Sequence, residues 1–158
     1  MQTFQLKSEH ACSEVRLGEL ASELAASCRP GDVILLEGPM GAGKSTFTRA
    51  FLGALGVLQG GAGSPTFAIA HEYQSQKAGI VLHADFYRLK SEEEIDEAGV
   101  SAAIWERGLL CLLEWTSMFP QFEAQVLESA PGRVIRVNLA FGEAEDVRSL
   151  EIAGPAAP

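Results

Sequence analysis

The spacing of apolar residues changes several times along the chain, and each change marks an element. Thr3 to Lys7 alternates like a strand. From Glu9 to Cys28 the apolar residues Val15, Leu17, Leu20, Leu24 and Ala25 fall at mostly helical spacing, with Ser8 or Ser13 as candidate cap. "CRPGD" (Cys28 to Asp32) is turn chemistry, and Val33 to Leu36 reads as a buried strand. Helical spacing returns from Ser45 to Leu55, with Gly56 past its end. Gln59 to Gly63 is a glycine-rich loop. Phe67 to Tyr73 and Gly79 to Ala84 read as strands joined by the polar turn "QSQKA". "SEEE" at Ser91 to Glu94 opens a helix with a capping-box pattern, and a second helix runs from Ser101 to Arg107. Leu109 to Leu113 is another buried strand. Arg133 to Phe141 and Val147 to Ile152 form a closing hairpin around "GEAED". There is no internal repeat and no separating linker. Residues 1–153 are therefore expected to be one α/β domain with a mixed central sheet, and 154–158 a disordered tail.

Composition narrows the function. With 47% apolar residues, a chain of 158 can fill one core. A net charge of −9 argues against gripping nucleic acid over a broad basic face of its own. Cys12, Cys28 and Cys111 stand in no metal-like spacing and read as buried thiols. No leader pattern opens the chain and no apolar run approaches ~18 residues. The expectation is a soluble, cytoplasmic protein without a membrane role.

The chemistry concentrates in "VILLEGPMGAGKSTF", Val33 to Phe47. Gly38, Gly43, Lys44 and Ser45 satisfy G-x-x-x-x-G-K-[ST], between an apolar strand and an amphipathic helix. A phosphate tail needs inward-facing backbone N–H groups, and Gly38, Gly41 and Gly43 clear the approach. The helix from Ser45 aims its positive end at the phosphates. Lys44 supplies a cation to the β/γ oxygens, and the Ser45 hydroxyl a ligand for Mg²⁺. The pattern predicts a P-loop NTPase-like domain that binds a nucleoside triphosphate with Mg²⁺, and the readings weighed below take ATP as that nucleotide.

Such a loop needs an acid at a neighbouring strand end. "IVLHADFYRL" offers Asp85 and "GLLCLLEW" offers Glu114. One could hold the metal and the other could orient the attacking water. "GSPTF" puts Thr66 on an extended segment after a glycine loop, where it could sense a γ-phosphate or be an ordinary strand entry. Trp115 is rim packing or a partner anchor. His83 and Asp85 share a strand face, and packing outweighs a metal role for that pair. "DEAG" at Asp96 to Gly99 imitates a GTP switch but has no strand before it.

Three readings of the nucleotide follow. No N-K-x-D base-reading motif supports a GTPase. One reading is a compact ATPase that serves a partner; a partner's arginine finger can be worth about 10³–10⁵ in rate, and Arg88 is the best internal substitute. A stand-alone small-molecule kinase would need a lid, which is not visible among the scattered Arg88, Arg107, Arg133, Arg136 and Arg148. A non-catalytic nucleotide-binding regulator is the third.

"LLEGPMGAGKSTF", "SPTF", "HADFYRL" and "LLEW", in this order and spacing, resemble the TsaE (YjeE) family of bacterial ATPases, from about Glu14 to Trp115. The resemblance implies an ATPase needed for threonylcarbamoyladenosine at position 37 of tRNA. Its partners would be TsaD and TsaB, with tRNA engaged only through them. It implies nucleotide contacts at Gly41, Ala42, Gly43, Lys44, Ser45 and Thr46, and magnesium ligands at Ser45 and Glu114. A catalytic aspartate would fall on Asp85, a switch threonine on Thr66 and the family's tryptophan on Trp115. An acidic nucleotide contact would fall on Glu14, and a further contact near Asp146 to Arg148. The loop departs from the family's usual "G-D-L-G-A-G-K-T" at Pro39 and Met40, which changes charge and shape above the phosphates.

Overall fold

A computed structural model describes residues 3–57, 69–144 and 147–155. Strands β1 (Thr3–Cys12), β2 (Val33–Glu37), β3 (Ala70–Ser75), β4 (Gly79–Asp85), β5 (Leu110–Glu114), β6 (Val134–Phe141) and β7 (Arg148–Pro155) form one sheet. Its order is β1-β7-β6-β2-β5-β4-β3. The central strands β6, β2, β5 and β4 run parallel, while β3, β7 and β1 are antiparallel to their neighbours. The expected mixed sheet flanked by helices is present, and β6–β7 is the expected closing hairpin.

Apolar runs such as Val33–Leu36 follow from this topology, because helices cover both faces of the parallel strands. Ile34 and Leu36 join Leu112 and Val81 against α1 (Glu14–Ser27) and α2 (Lys44–Ala54). Phe47 and Phe51 of α2 stack in that layer, with centroids 6.3 Å apart. Val33 and Leu35 point the other way, to Phe86, Ile95, Ile104, Phe122 and Val126. These come from the turn after β4, α3 (Glu93–Glu97), a π-helical turn at Ala102–Glu106, and α4 (Pro120–Ser129).

Several expectations change. Residues 9–12 belong to β1, not to the first helix, because the ladder with β7 continues to the pair Cys12↔Arg148. The helix then starts at Ser13, whose Oγ accepts the Arg16 N–H at 3.1 Å. Leu17, Leu20, Ala21, Leu24 and Ala25 form its buried stripe, and Val15 is 76% exposed. Helix α4 has no counterpart in the sequence reading. It buries only Phe122 and Val126, one turn apart, so its apolar signal is thin. Gly154 and Pro155, assigned to the tail, lie in β7, where they pair with Phe4 and Thr3. Residues 59–63 and Phe67 lie outside the described residues.

All three cysteines are free thiols, with Cys12 and Cys111 buried and Cys28 half-buried. Burial pushes Cys111 up to about 12, and burial together with the Asp32 charge does the same to Cys28. Neither is poised for thiolate chemistry.

The N-terminal ends of β2 and β6 are pinned by a buried ion pair. Asp32 accepts the backbone N–H groups of Arg29 and Arg133, each at 2.9 Å, and the Arg133 guanidinium at 2.9 Å. Arg133 also donates to the Ser27 carbonyl at the end of α1. Removing the acid would leave a guanidinium and two N–H groups without their acceptor. Asp32→Ala is expected to lose about 3 kcal/mol of unfolding free energy, measured by chemical denaturation. A loss below about 1 kcal/mol would show that the ends hold without the pair.

Candidate nucleotide site

The loop between β2 and α2 follows from its glycines. A Cβ on Gly38 would stand 2.6 Å from the Leu139 carbonyl oxygen of β6, so only glycine lets the chain leave the sheet there. Gly43 has φ +104° and starts α2 from the left-handed region. Between them Ala42 is fully buried, and its N–H bonds the Pro39 carbonyl at 3.2 Å. The first turn of α2 has no side-chain cap and no acidic residue. Its N–H groups and positive dipole end are therefore chemically suited to an anion.

Lys44 opens this helix and is 7% exposed. Its Nζ has no hydrogen-bond partner and lies 3.7 Å from the centroid of the Trp115 ring. Burial holds its pKa below the usual lysine value, against the pull of Glu114, Asp85 and Glu37. Those three acids are engaged elsewhere. Glu114 Oε2 is 2.6 Å from His83 Nε2. Asp85 Oδ1 accepts the Tyr87 N–H at 3.0 Å. Glu37 accepts the Ser117 hydroxyl at 3.1 Å and its N–H at 3.3 Å, and lies 3.0 Å from Thr116 Oγ1.

Asp85 and Glu114 are direct partners across the parallel β4–β5 ladder. Both stand at strand C-terminal ends, beside the loop from β2, where open α/β sheets bind ligands. Trp115 follows with φ +65°, the single non-glycine residue with positive φ among those described. That turn brings the indole back over Lys44, and the Tyr87 ring packs 5.0 Å from it.

These residues line a cleft of about 330 Å³. Gly41, Gly43, Lys44, Ser45, Thr46, Asp85, Glu114 and Trp115 meet there, joined by Met40. Gly38 is at the base of the loop against β6, and Ala42 is buried behind it. Glu14 lines a second cleft of about 350 Å³, with Val15, Arg49 and Ala50. Thr46 lines both, so Glu14 lies alongside the first cleft and not in it. Thr66 and Asp146 lie outside the described residues. Arg88 is exposed and outside the cleft lining.

One residue was hidden from sequence reasoning and another was placed only by resemblance. Glu37 ends "VILLE", one position before the loop, and its place in the signature was the available signal. Arg148 looked scattered in sequence, and only the family resemblance put a contact near it, at Asp146 to Arg148. In space it enters from β7, and its Nη2 donates to the Gly41 carbonyl at 3.1 Å. Its guanidinium also lies 5.3 Å from the Phe141 ring centroid. The available donors, a Ser45 hydroxyl and two carboxylates, are all oxygen and suit a hard cation such as Mg²⁺. The orphaned Lys44 ammonium suits a phosphate.

A sequence model of the family "Threonylcarbamoyl adenosine biosynthesis protein TsaE" matches residues 11–147. The chain is similar to the tRNA threonylcarbamoyladenosine biosynthesis protein TsaE of Bacillus subtilis. Identity is 37% over 117 residues, covering 72% of this chain and 71% of the relative. The Streptomyces coelicolor protein of the same name is 34% identical over 140 residues, covering 86% and 88%. The Rickettsia conorii protein of that name is 40% identical over 106 residues, covering 67% and 59%. Among solved structures, Bacillus subtilis YdiB superposes with a TM-score of 0.69 at 26% identity, covering 99% of this chain and 89% of that one.

A buried ammonium without an acceptor costs the nucleotide-free fold stability. Lys44→Met, similar in length and without charge, is expected to make the free protein more stable by about 1 kcal/mol in denaturant titrations. The same variant is expected to lose nucleotide-dependent stabilisation. Destabilisation of the free protein by Lys44→Met would show instead that the contact with Trp115 outweighs the cost of burial.

Proposed function

The chain belongs to the TsaE family, and on that premise we propose that it is a Mg²⁺-dependent ATPase supporting threonylcarbamoyladenosine formation at position 37 of tRNA. One observation carries the nucleotide part of this reading: the buried, unpartnered Lys44 ammonium at an uncapped helix start, facing two strand-end carboxylates. The names of its relatives carry the tRNA part. The proposed partners are TsaD and TsaB. The acidic chain favours engaging tRNA through them and not directly. Exposed Met40 and Phe141 flank the loop and would suit a partner closing over it. No helix among the described residues is long and apolar enough to cross a membrane. A tRNA-modification role would place the protein in the cytoplasm.

The residue roles follow from position. Backbone N–H groups from Gly41 to Thr46 would bind the phosphates, and Lys44 would neutralise the transferring phosphoryl group. The Ser45 hydroxyl and Glu114 would hold Mg²⁺, which supplies charge neutralisation on the phosphate oxygens. Asp85 would orient the attacking water and accept its proton. Thr66, by family likeness, would sense the γ-phosphate. Glu14 would act in the neighbouring cleft, on the side that Thr46 shares.

Steady-state ATP hydrolysis tests the reading. The chain alone is expected to be slow, and TsaB with TsaD to stimulate it. Asp85→Ala and Glu114→Ala should each lower the stimulated kcat by at least about 100-fold. Phosphoryl transfer to a metabolite without partners would replace this reading with a kinase. Binding without turnover, partners present, would replace it with a nucleotide-binding regulator.

A further inference from the structure

We infer that His83 is a positioning residue, which fixes the Glu114 carboxylate for the metal and keeps it from pairing with Lys44. The inference rests on the nucleotide site proposed above and assigns a role to a residue outside it.

His83 stands two positions before Asp85 on β4, and so on the same face of the sheet. Its Nε2 lies 2.6 Å from Glu114 Oε2, with side-chain exposures of 18% and 10%. An ionised carboxylate only accepts hydrogen bonds, so Nε2 carries the hydrogen. That bond occupies Oε2. Among the described residues Oε1 has no hydrogen-bond partner, and Glu114 lines the cleft. One oxygen is thus tied back and the other remains for a cation.

Glu114 and Lys44 are close enough to influence each other's charge. With both side chains free, their direct pairing would satisfy the buried ammonium. It would also consume the metal ligand and the phosphate cation together. In this structure the pairing does not form: Lys44 rests on Trp115 and Glu114 on His83. A partner in the outer shell that orients a metal-binding carboxylate is typically worth 10–100-fold in metal affinity. His83 meets that description without touching nucleotide or metal.

The test compares wild type, His83→Leu and His83→Gln by titrating Mn²⁺ into the ADP-bound proteins, with free Mn²⁺ read by electron paramagnetic resonance. ADP affinity in EDTA is measured in parallel. Leucine fills space without a donor, and glutamine can return an N–H near the Nε2 position. His83→Leu is expected to keep ADP affinity in EDTA within about 2-fold and to bind Mn²⁺ about 10-fold or more weakly. His83→Gln should recover most of the Mn²⁺ affinity. Wild-type Mn²⁺ affinity in His83→Leu overturns the inference. So does equal loss in the Leu and Gln variants, or a parallel loss of ADP binding in EDTA, since each marks a packing role. Failure of wild type itself to bind ADP and Mn²⁺ together would overturn the proposed function instead.

Discussion

The site depends on a cation that is buried and left unpaired. Lys44 sits in a cluster with Glu37, Asp85 and Glu114, and an ammonium in such company would ordinarily form a salt bridge. Each acid is instead held by a different neighbour: Glu37 by Thr116 and Ser117, Asp85 by the Tyr87 N–H, Glu114 by His83. The ammonium keeps only the face of Trp115. A cation–π contact desolvates the ion without satisfying its N–H donors, so the lysine remains short of acceptors. An anion at the loop would therefore meet a lysine that has no salt bridge to break.

The sheet makes this separation possible. Parallel β2, β4 and β5 end at one edge, and direct pairing places Asp85 beside Glu114. β6 supplies the wall that makes glycine obligatory at position 38. The antiparallel hairpin then returns Arg148 to the loop, where it holds the Gly41 carbonyl. Residues far apart in sequence thus become fixed electrostatic features around one helix terminus.

The strand–loop–helix unit was legible because its chemistry is local: an apolar run, glycines at set spacing, a lysine and a hydroxyl. Asp85 and Glu114 were legible as strand ends, though their direct pairing was not. The bond from Arg148 to the Gly41 carbonyl and the Glu114–His83 bond were not legible, because both depend on strand order, and nothing local encodes which strands become neighbours. The start of the first helix was misplaced because residues 9–12 can serve either element until β7 is present to pair with them. Helix α4 escaped because two buried side chains in ten residues give almost no period. Val15 fits a helical spacing yet faces solvent, which shows how little one apolar residue at a helix start decides.

Trp115 ties the two halves of the site together. It follows Glu114 in sequence, so the carboxylate that would take the metal and the ring that seats the lysine share one peptide unit. Its left-handed backbone costs on the order of 1–2 kcal/mol for a residue with a Cβ. That conformation sets the indole over Nζ while Glu114 stays in the β5 ladder. An extended backbone would send the next side chain to the other face of the sheet, away from α2. Tyr87, packed on the same ring, joins the turn after β5 to the end of β4.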